Sequence, residues 1–294
     1  MDTTKNKLIK FHKLSLGTAQ FGMHYGINQD GKVSYSEVGK ILNYASNYNI
    51  KFLDTAILYG NSEMVIGNFG ASKFQVITKL PPLGNGNHVK KKIAEMLEES
   101  NRKLGDHEIE GVLLHNPNDI NYNNTIDALE KLKDEKKIKK FGISIYSPTD
   151  LETCKFLHRI DIIQTPYSIV DQRICNSGWL RRLKQMKIEV QARSIFLQGL
   201  LLRKYNSLPA MFSSESELWK RWHDWLAKSN VSALSCCLEF VFNNNLFDRY
   251  VVGINSKQHL VEITSALSQH KITSFPDIRS ENETFINPSK WNHP

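Results

Sequence analysis

Short apolar segments alternate with amphipathic helical segments along almost the whole chain of 294 residues. The apolar segments are typical of buried strands, whereas the segments between them repeat apolar residues at helical spacing. Eight strands are predicted, at Leu14–Ala19, Phe52–Ala56, Phe74–Lys79, Gly111–His115, Lys140–Ile145, Ile160–Gln164, Glu189–Ser194 and Tyr250–Gly253. Helices are predicted at Glu37–Tyr48, Ser62–Asn68, Val89–Leu104, Thr125–Lys136, Ser147–Leu157, Ser177–Met186, Ser232–Phe242 and Ser256–Leu267. Strands that alternate with helices indicate a parallel sheet that is covered on both faces.

Two architectures are compatible with this alternation: an open doubly wound sheet and a closed (β/α)₈ barrel. Eight units over this length favour the barrel. An open dinucleotide-binding sheet has the glycine spacing G-x-G-x-x-G after its first strand, whereas this chain reads Gly17-Thr18-Ala19-Gln20-Phe21-Gly22. We therefore predict an α/β protein whose residues 1–294 form a single TIM-barrel domain.

Three segments lie outside the repeat of strands and helices. Residues 1–13 are predicted as an N-terminal hairpin that plugs the bottom of the barrel, and residues 271–294 as a C-terminal tail over its rim. The segment Arg203–Asn230 is an insertion with three tryptophans at helical spacing: Trp219, Trp222 and Trp225. We expect this insertion to pack against the barrel wall.

The net charge bears on the class of ligand. Lys and Arg number 38 and Asp and Glu 30, so the formal net charge is +8. Most of the excess lies in Lys90–Lys92 and in Lys131–Lys140, and in the second run acidic residues are interleaved as on a solvated helix face. No nucleic-acid-binding motif accompanies these runs, so we expect no nucleic-acid partner. A basic protein still attracts small anionic ligands such as a phosphorylated cofactor.

Several other classes of protein are also disfavoured. No apolar run approaches the roughly 18 residues of a membrane helix, and the N-terminal segment lacks the apolar core of a signal peptide. The four cysteines show no CxxC spacing, and the histidines show no paired spacing typical of a metal site. We therefore expect a cytoplasmic protein without membrane association, disulfides or metal, as a monomer or weak homo-oligomer.

Four polar residues lie at the ends of three neighbouring predicted strands. Asp54 ends the second strand and Tyr59 follows it shortly, Lys79 ends the third strand, and His115 ends the fourth. Function in a (β/α)₈ barrel collects at the carboxyl ends of the strands. Each residue alone has a structural interpretation: a turn cap, a half-buried aromatic, an exposed lysine and a hydrogen-bonded histidine. Their coincidence at one rim indicates a catalytic site.

The four residue types suit the reduction of a carbonyl group. A tyrosine hydroxyl with a pKa near about 10 is a poor proton donor at neutral pH, and a neighbouring Lys79 cation lowers that pKa. Asp54 keeps Lys79 charged by ion pairing. Neutral His115 donates a hydrogen bond to the substrate oxygen. This set protonates an oxyanion while hydride reaches the carbon, or performs the reverse.

These residues also lie within motifs that resemble the aldo-keto reductase family. The motifs are Leu53-Asp54-Thr55-Ala56-x-x-Tyr59-Gly60, Ile77-Thr78-Lys79 and Leu113-Leu114-His115-Asn116-Pro117. They occur in the family's order, and the resemblance extends from Leu14 to about Leu267. It implies a barrel that binds NADPH at its rim, with NADH as the alternative. It also implies that Tyr59 is the general acid/base, that His115 orients the carbonyl, and that Asp54 and Lys79 tune Tyr59.

The resemblance further implies a set of cofactor-binding residues. They are Thr18, Asp54, Ser144, Gln164, Arg193, Ser194, Leu197, Gly199, Gly253, Asn255, Ser256 and Lys257. Three positions depart from the family's usual residues. Ile145 replaces a common asparagine, Arg193 replaces a tyrosine that stacks on the nicotinamide, and Asn255 replaces a frequent arginine. An arginine plane also stacks on aromatic rings, but its charge changes the electrostatics of the ring.

Three further motifs are similar to those of a bacterial subgroup associated with surface-polysaccharide and nucleotide-sugar pathways. They are Gly17-Thr18-Ala19-Gln20-Phe21-Gly22-x-x-Tyr25-Gly26, Arg193-Ser194-x-Phe196-Leu197-Gln198-Gly199 and Asn287-Pro288-Ser289-Lys290-Trp291. The similarity implies a small-molecule carbonyl substrate derived from a sugar. We expect the substrate pocket at His24, Tyr25, Tyr146 and Trp291. Two alternatives remain open: a cofactor-binding redox-sensing or regulatory subunit with little turnover, and a barrel isomerase or lyase.

Overall fold

A closed barrel of eight parallel strands forms the centre of the computed structural model, which describes residues 10–27, 31–268 and 272–291. The strands are β1 (Leu14–Gly17), β2 (Phe52–Asp54), β3 (Gln75–Leu80), β4 (Ile109–Leu114), β5 (Ile138–Ser144), β6 (Ile162–Pro166), β7 (Glu189–Arg193) and β8 (Arg249–Gly253). Each strand pairs with the next in sequence, and β1 pairs with β8 through Leu14 opposite Tyr250. The predicted (β/α)₈ barrel is confirmed.

The strands are apolar because both of their faces are buried. All six residues of β4 are buried, as are the last four of β5. Side chains inside the barrel pack against one another, while the outward side chains pack against the surrounding helices. Closure pairs every strand on both sides, so the sheet has no free edge.

The helices form the outer layer. They are α1 (Ala19–Gly22), α2 (Tyr35–Asn47), α3 (Ser62–Asn68), α4 (Val89–Lys103), α5 (Asn123–Asp134), α6 (Thr149–Glu152), α7 (Arg173–Asn176), α8 (Trp179–Gln185), α9 (Ser216–Ser229), α10 (Ala233–Phe242), α11 (Lys257–Leu267) and α12 (Glu283–Ile286). Side-chain caps begin several of them: Ser34 accepts from the Glu37 amide and Ser256 from the His259 amide. Most predicted helices are found within a few residues of their expected bounds.

The helix expected over Ser147–Leu157 is the exception. The chain instead forms the single turn α6 and a later 3₁₀ turn over Leu157–Arg159. The Thr153 hydroxyl donates to the carbonyl of Asp150 at 3.3 Å, just where α6 ends. Side-chain bonds of this kind offer the backbone an alternative to a continuing helix. The helical spacing of apolar residues in this segment therefore does not produce a continuous helix.

The two terminal segments differ in what the structure describes. Within the hairpin expected over residues 1–13, residues 10–13 are helical, and residues 1–9 lie outside the described ranges. The described part of the C-terminal tail, residues 272–291, includes α12 and reaches the rim of the barrel. There Trp291 is buried and its indole N–H donates to the Phe285 carbonyl at 3.1 Å.

The insertion after β7 also holds its own loop in place. Its helix α9 buries Trp219 and Trp222, whose indole N–H groups donate to the Tyr205 and Leu201 carbonyls at 2.7 and 3.2 Å. Both acceptors lie in the loop that follows β7, so the tryptophans hold this loop rather than only covering the barrel wall. Burying both indoles with their N–H groups bonded stabilises the loop in one position.

Candidate active site

One cavity of about 870 Å³ opens at the carboxyl ends of the strands. Fifteen of the predicted site residues line it: Thr18, Tyr25, Asp54, Tyr59, Lys79, His115, Ser144, Tyr146, Gln164, Arg193, Ser194, Gly199, Gly253, Asn255 and Trp291. Ligand pockets commonly measure about 300–1,000 Å³. This cavity lies near the upper end of that range, so it has room for a cofactor beside a small substrate. Residues far apart in the chain therefore meet at one site.

Four predicted site residues do not line this cavity. His24 is exposed, and the Leu197 side chain is 1% exposed within the core. Ser256 caps α11, and the backbone amide of Lys257 is bonded to Glu37. The side chains of His24 and Leu197 therefore do not line the cavity, and their roles in binding substrate and cofactor stay predictions.

Asp54 and Lys79 form a buried ion pair at the base of the cavity. The Lys79 Nζ lies 2.6 Å from Asp54 Oδ2 and donates to the Thr55 carbonyl at 2.8 Å. Burial lowers the pKa of Lys79, and the charge and hydrogen bond of Asp54 oppose that shift. The second carboxylate oxygen of Asp54 accepts from the Gln164 amide at 2.7 Å. Asp54 therefore links the ends of β2, β3 and β6.

Tyr59 is placed by close contacts of the main chain. A Cβ at Gly22 would lie 1.7 Å from the Tyr59 carbonyl oxygen, and one at Gly60 would lie 2.4 Å from the Gly22 carbonyl oxygen. Gly60 also has a φ of 60°, in the left-handed region that favours glycine. Two glycines thus allow the loops after β1 and β2 to touch. This contact positions Tyr59 just beyond the carboxyl end of β2, at the cavity.

Tyr59 lies between Lys79 and His115. The Lys79 Nζ is 5.1 Å from the centroid of the Tyr59 ring, and the rings of Tyr59 and His115 are 6.0 Å apart. Burial and the Asp54 carboxylate raise the pKa of Tyr59, whereas Arg193 lowers it. The lowering expected from Lys79 is not found, because Lys79 is paired directly with Asp54. At neutral pH Tyr59 is therefore a protonated donor.

His115 is neutral at the pH of most enzymes. Burial, with smaller contributions from the Lys79 and Arg193 cations, lowers its pKa from 6.5 to about 3. Its Nδ1 atom is buried and has no hydrogen-bond partner among the described residues. A proton on Nε2 leaves only a lone pair at that buried atom and places the N–H donor at the other side of the ring. His115 is therefore suited to donate to a neutral or developing oxygen.

Ser144 and Gln164 offer a donor and an acceptor that fit a carboxamide. Gln164 donates its amide to Asp54 at 2.7 Å and to Gln191 at 3.3 Å, while its Oε1 is buried without a described partner. An unsatisfied buried acceptor is costly unless a ligand or water supplies the donor. The amide group of a nicotinamide supplies such a donor. The residues at β5 and β6 thus fit the cofactor that the sequence implied.

The loop after β7 has an unusual backbone. Ser194, Leu197 and Gln198 have φ values of 59°, 48° and 51°, and Gly199 has a φ of 89°. Non-glycine residues in the left-handed region cluster at functional sites, and successive amides of such turns form concavities that bind anions. The same loop brings Arg203, Lys204 and Ser207 to the cavity. Sequence analysis missed these three residues, since no motif distinguishes them within the insertion.

Two hydrogen bonds hold the Arg193 side chain at the end of β7. Its Nη2 donates to the Ile145 carbonyl at 2.8 Å and its Nη1 to the Ser194 hydroxyl at 3.1 Å. The guanidinium lies 4.9 Å from the centroid of the Tyr146 ring. The group therefore lies on the side of the cavity where the substrate pocket was expected, next to a cation–π partner.

A further arginine, which sequence analysis also missed, supports Tyr146. Arg173 is buried and donates to both Asp171 carboxylate oxygens at 2.9 and 2.8 Å. It also donates to the Tyr146 carbonyl and to Glu283 of the C-terminal tail, both at 3.1 Å. Arg173 thus connects the β5 loop with the tail that carries Trp291. An Asp-x-Arg spacing alone is too common to have indicated this role.

The start of α11 lies at one end of the cavity. The Asn255 Oδ1 atom accepts a hydrogen bond from His259 Nδ1 at 3.0 Å, and both residues line the cavity. Just beyond them, Glu37 accepts from the Lys257 amide at 2.8 Å, and this bond and the nearby Lys40 lower the pKa of Glu37. A carboxylate therefore uses one of the amides that a phosphate would otherwise bind at this helix start.

Along residues 10–27, 31–268 and 272–291, no three His, Cys, Asp or Glu side chains are grouped so as to hold a metal ion. No helix in the same ranges has both the length and the apolar character needed to cross a membrane.

Comparisons with known proteins agree with this geometry. In Bacillus subtilis (strain 168), "Uncharacterized oxidoreductase YqkF" is 30% identical over 177 residues, covering 56% of this chain and 57% of the relative. In Strobilurus tenacellus, "Aldo-keto reductase str7" is 30% identical over 213 residues, covering 66% of this chain and 60% of the relative. The chain thus spans less than two thirds of the length of these curated relatives.

A solved structure and a family match extend the comparison. The structure of "aldo-keto reductase AKR11C1 from Bacillus halodurans (holo form)" has a TM-score of 0.70 with 22% identity, covering 89% of this chain and 88% of that one. This likeness shows the fold. Residues 13–280 match the family model described as "Aldo/keto reductase family". The chain belongs to the aldo/keto reductase family.

Proposed function

We propose that this protein is an NAD(P)H-dependent oxidoreductase that reduces an aldehyde or ketone to an alcohol, with Tyr59 as the proton donor. The observation that carries the proposal is the convergence of Asp54, Tyr59, Lys79 and His115 on one cavity. Family membership supports oxidoreductase chemistry on carbonyl groups. As implied by the sequence, the substrate is a sugar-derived carbonyl compound, and the protein acts in the cytoplasm as a monomer or weak homo-oligomer.

The residues divide the work of protonation. His115, which is neutral, donates a hydrogen bond that orients the carbonyl oxygen and shares the negative charge that develops on it. Tyr59, which is protonated at neutral pH, gives its proton to that oxygen. Asp54 holds Lys79 at 2.6 Å and so keeps the base of the site compact. When bound, the nicotinamide supplies the hydride that reaches the carbonyl carbon.

Ser144 and Gln164 would hold the carboxamide of the nicotinamide, and the left-handed turn at Leu197, Gln198 and Gly199 would face the pyrophosphate. The sequence favoured NADPH on charge and on the family resemblance. The contacts at the start of α11 favour NADH instead, because Glu37 bonds the Lys257 amide and Asn255 adds no positive charge. A negative charge at this helix start would repel a 2′-phosphate. We therefore propose NADH as the preferred cofactor.

A direct test measures cofactor binding and turnover separately. Quenching of intrinsic tryptophan fluorescence by NADH and NADPH reports binding, and a panel of sugar-derived aldehydes and ketones reports reduction. We expect Tyr59→Phe to bind cofactor normally and to lose about 10²–10⁴-fold in kcat, as removal of a general acid does. Tyr35→Phe, at an exposed tyrosine that packs on Phe69, is the matched control and keeps full activity.

Each other outcome has a defined meaning. Equal turnover by Tyr59→Phe and the wild type contradicts the role of Tyr59. Cofactor binding without reduction of any carbonyl supports the regulatory subunit instead. Failure of both cofactors to bind at millimolar concentration supports an isomerase or lyase and ends the oxidoreductase proposal.

A further inference from the structure

Among the residues that the structure describes, none gives Arg193 an acidic partner at the cavity. Within the described ranges, no carboxylate forms an ion pair with Arg193, Arg203 or Lys204, although all three line the cavity. Asp54 is the sole carboxylate among the described lining residues, and Lys79 already pairs with it. The lining of the cavity thus carries an excess of positive charge. Arg193 and Arg203 are half-buried, so a ligand anion would supply the counter-charge that the described lining lacks, whereas Lys204 is exposed.

The three cations lie at different places. Arg203 and Lys204 belong to the loop after β7, beside the left-handed turn that we assign to the cofactor pyrophosphate. Arg193 instead ends strand β7 itself, and its charge influences the pKa of both Tyr59 and His115. Two phosphates of a dinucleotide match Arg203 and Lys204 in charge. Arg193 is then left for a second anion.

Arg193 lies beside Tyr146, where the substrate pocket is expected, next to the proposed nicotinamide site. Its bond to the Ile145 carbonyl and its position over the Tyr146 ring turn the guanidinium toward the end of β5. The described contacts use two of the five guanidinium N–H groups. Three N–H groups therefore remain to donate hydrogen bonds to oxygen atoms of a ligand. A planar fork of donors suits a carboxylate or a phosphate ester, which accept two parallel hydrogen bonds.

We propose that Arg193 is a specificity-determining residue that receives an anionic group, a carboxylate or a phosphate ester, on the carbonyl substrate. This inference rests on the proposed carbonyl reduction and names the class of substrate that the same site takes. The anion bonds to Arg193 while the carbonyl oxygen lies between Tyr59 and His115. The neutral state of His115 leaves Arg193 as the positive group that faces the substrate in this part of the cavity.

Kinetics on matched substrate pairs test the proposal. One pair is succinic semialdehyde and its methyl ester, and the other is glyceraldehyde 3-phosphate and glyceraldehyde. We expect the wild type to prefer the charged member of at least one pair, and the responding pair identifies carboxylate or phosphate. Arg193→Gln should lower the charged-to-neutral ratio of kcat/KM by about tenfold to a hundredfold, the usual effect of losing a charge-assisted hydrogen bond. Arg193→Lys keeps the charge without the fork and should give an intermediate ratio.

Arg203→Gln is the matched control, since it removes one cavity arginine at a different position. We expect it to leave the charged-to-neutral ratio as in the wild type. An equal fall of the ratio in Arg203→Gln and Arg193→Gln would mean diffuse attraction by net charge and would overturn the proposal. A wild-type ratio near one for both pairs would overturn it as well, while reduction of the neutral members would leave the proposed function intact.

A binding measurement keeps the inference testable if no carbonyl is reduced. Isothermal titration calorimetry with succinate and with inorganic phosphate reports anion binding without turnover. Weaker binding of either anion to Arg193→Gln than to Arg203→Gln supports Arg193 as the residue that binds the anionic group of the substrate. Identical binding to both variants and to the wild type contradicts it.

Discussion

Arg193 donates a hydrogen bond to the backbone carbonyl of Ile145 at 2.8 Å, above the end of the intervening strand β6. Both positions depart from the residues that the family resemblance leads one to expect. The two positions are therefore in contact at the rim. Because the acceptor is a backbone atom, the bond depends on the arginine and not on the identity of the side chain at position 145.

The first prediction concerns the charge of Arg193. Arg193 lowers the pKa of Tyr59 against the effects of burial and Asp54, so Arg193→Gln should raise that pKa further. Alcohol oxidation requires deprotonated Tyr59 as the base, so its rate at a fixed alkaline pH should fall in the variant. The measurement is the pH profile of kcat for oxidation. Arg203→Gln should keep the wild-type profile, and a shift of the same size in that control argues against a specific effect of Arg193.

The second prediction concerns acid sensitivity. The pKa of His115 is about 3 in the folded protein against an ordinary 6.5, so the unfolded chain binds more protons between these values. The free energy of unfolding therefore falls as the pH falls from 6.5 toward 3. His115→Gln should remove this contribution, so its stability should fall less between pH 7 and pH 5 in urea unfolding. The control is His88→Gln, at an exposed histidine. An equal loss of stability between pH 7 and pH 5 in the two variants contradicts the lowered pKa of His115.

The third prediction concerns the buried pair of Asp54 and Lys79. Lys79→Met leaves the Asp54 carboxylate, which is 4% exposed, without its cation. We expect a loss of about 3–5 kcal/mol in the free energy of unfolding, since breaking a buried pair strands a charge. The double variant Asp54→Asn with Lys79→Met should lose clearly less than the sum of the single variants. Additive losses in urea unfolding would show that the two groups do not interact.

The fourth prediction concerns the contact between the loops after β1 and β2. A Cβ at Gly22 would lie 1.7 Å from the Tyr59 carbonyl, so Gly22→Ala must move that backbone. A displacement of about 1 Å can cost about a hundredfold in rate, and we expect a loss of that order in kcat. Gly86→Ala is the control because its Cβ would meet nothing within 4 Å. Full activity of Gly22→Ala would mean that the contact does not position Tyr59.

The fifth prediction concerns the choice of cofactor. Glu37→Gln removes the carboxylate at the Lys257 amide, where it stands 2.8 Å from the nitrogen. We expect the affinity for NADPH to rise relative to NADH, because a like charge no longer faces the 2′-phosphate. Fluorescence titration with both cofactors measures the ratio. Glu95→Gln on α4 makes the same change of net charge elsewhere, and an equal effect there would indicate only long-range attraction.

The barrel and the clustering of Asp54, Tyr59, Lys79 and His115 at one rim could be predicted because they follow from strong local patterns. Eight apolar strands were recognisable from their alternation with helices, and parallel strands bring their carboxyl ends to one rim. Asp54, Lys79 and His115 each stand at such an end, so their meeting follows from topology alone. Tyr59 lies further along the loop after β2, and the family motif supported the placement that its closeness to the strand end had already indicated.

The remaining contacts depend on side-chain orientation and on long loops. Nothing in the sequence around Gln164 reveals that its amide faces Asp54 and leaves the carbonyl oxygen free. Arg203 and Lys204 reach the cavity only because buried tryptophans of α9 hold their loop. His24 lies two residues after Gly22, which contacts the Tyr59 backbone, yet the His24 side chain faces solvent. Side-chain direction in an irregular loop depends on the backbone angles of each residue, and the sequence does not reveal these angles.

The paired glycines after β1 and β2 separate two properties of this fold. Tyr59, the proposed proton donor, takes its position from main-chain contact, whereas Tyr25, Tyr146 and Trp291 line the cavity with their side chains. We therefore expect mutations at those three positions to change which molecules enter without moving the Tyr59 hydroxyl. Such an arrangement allows descendants of one ancestral gene to diverge in substrate while they inherit the same chemistry.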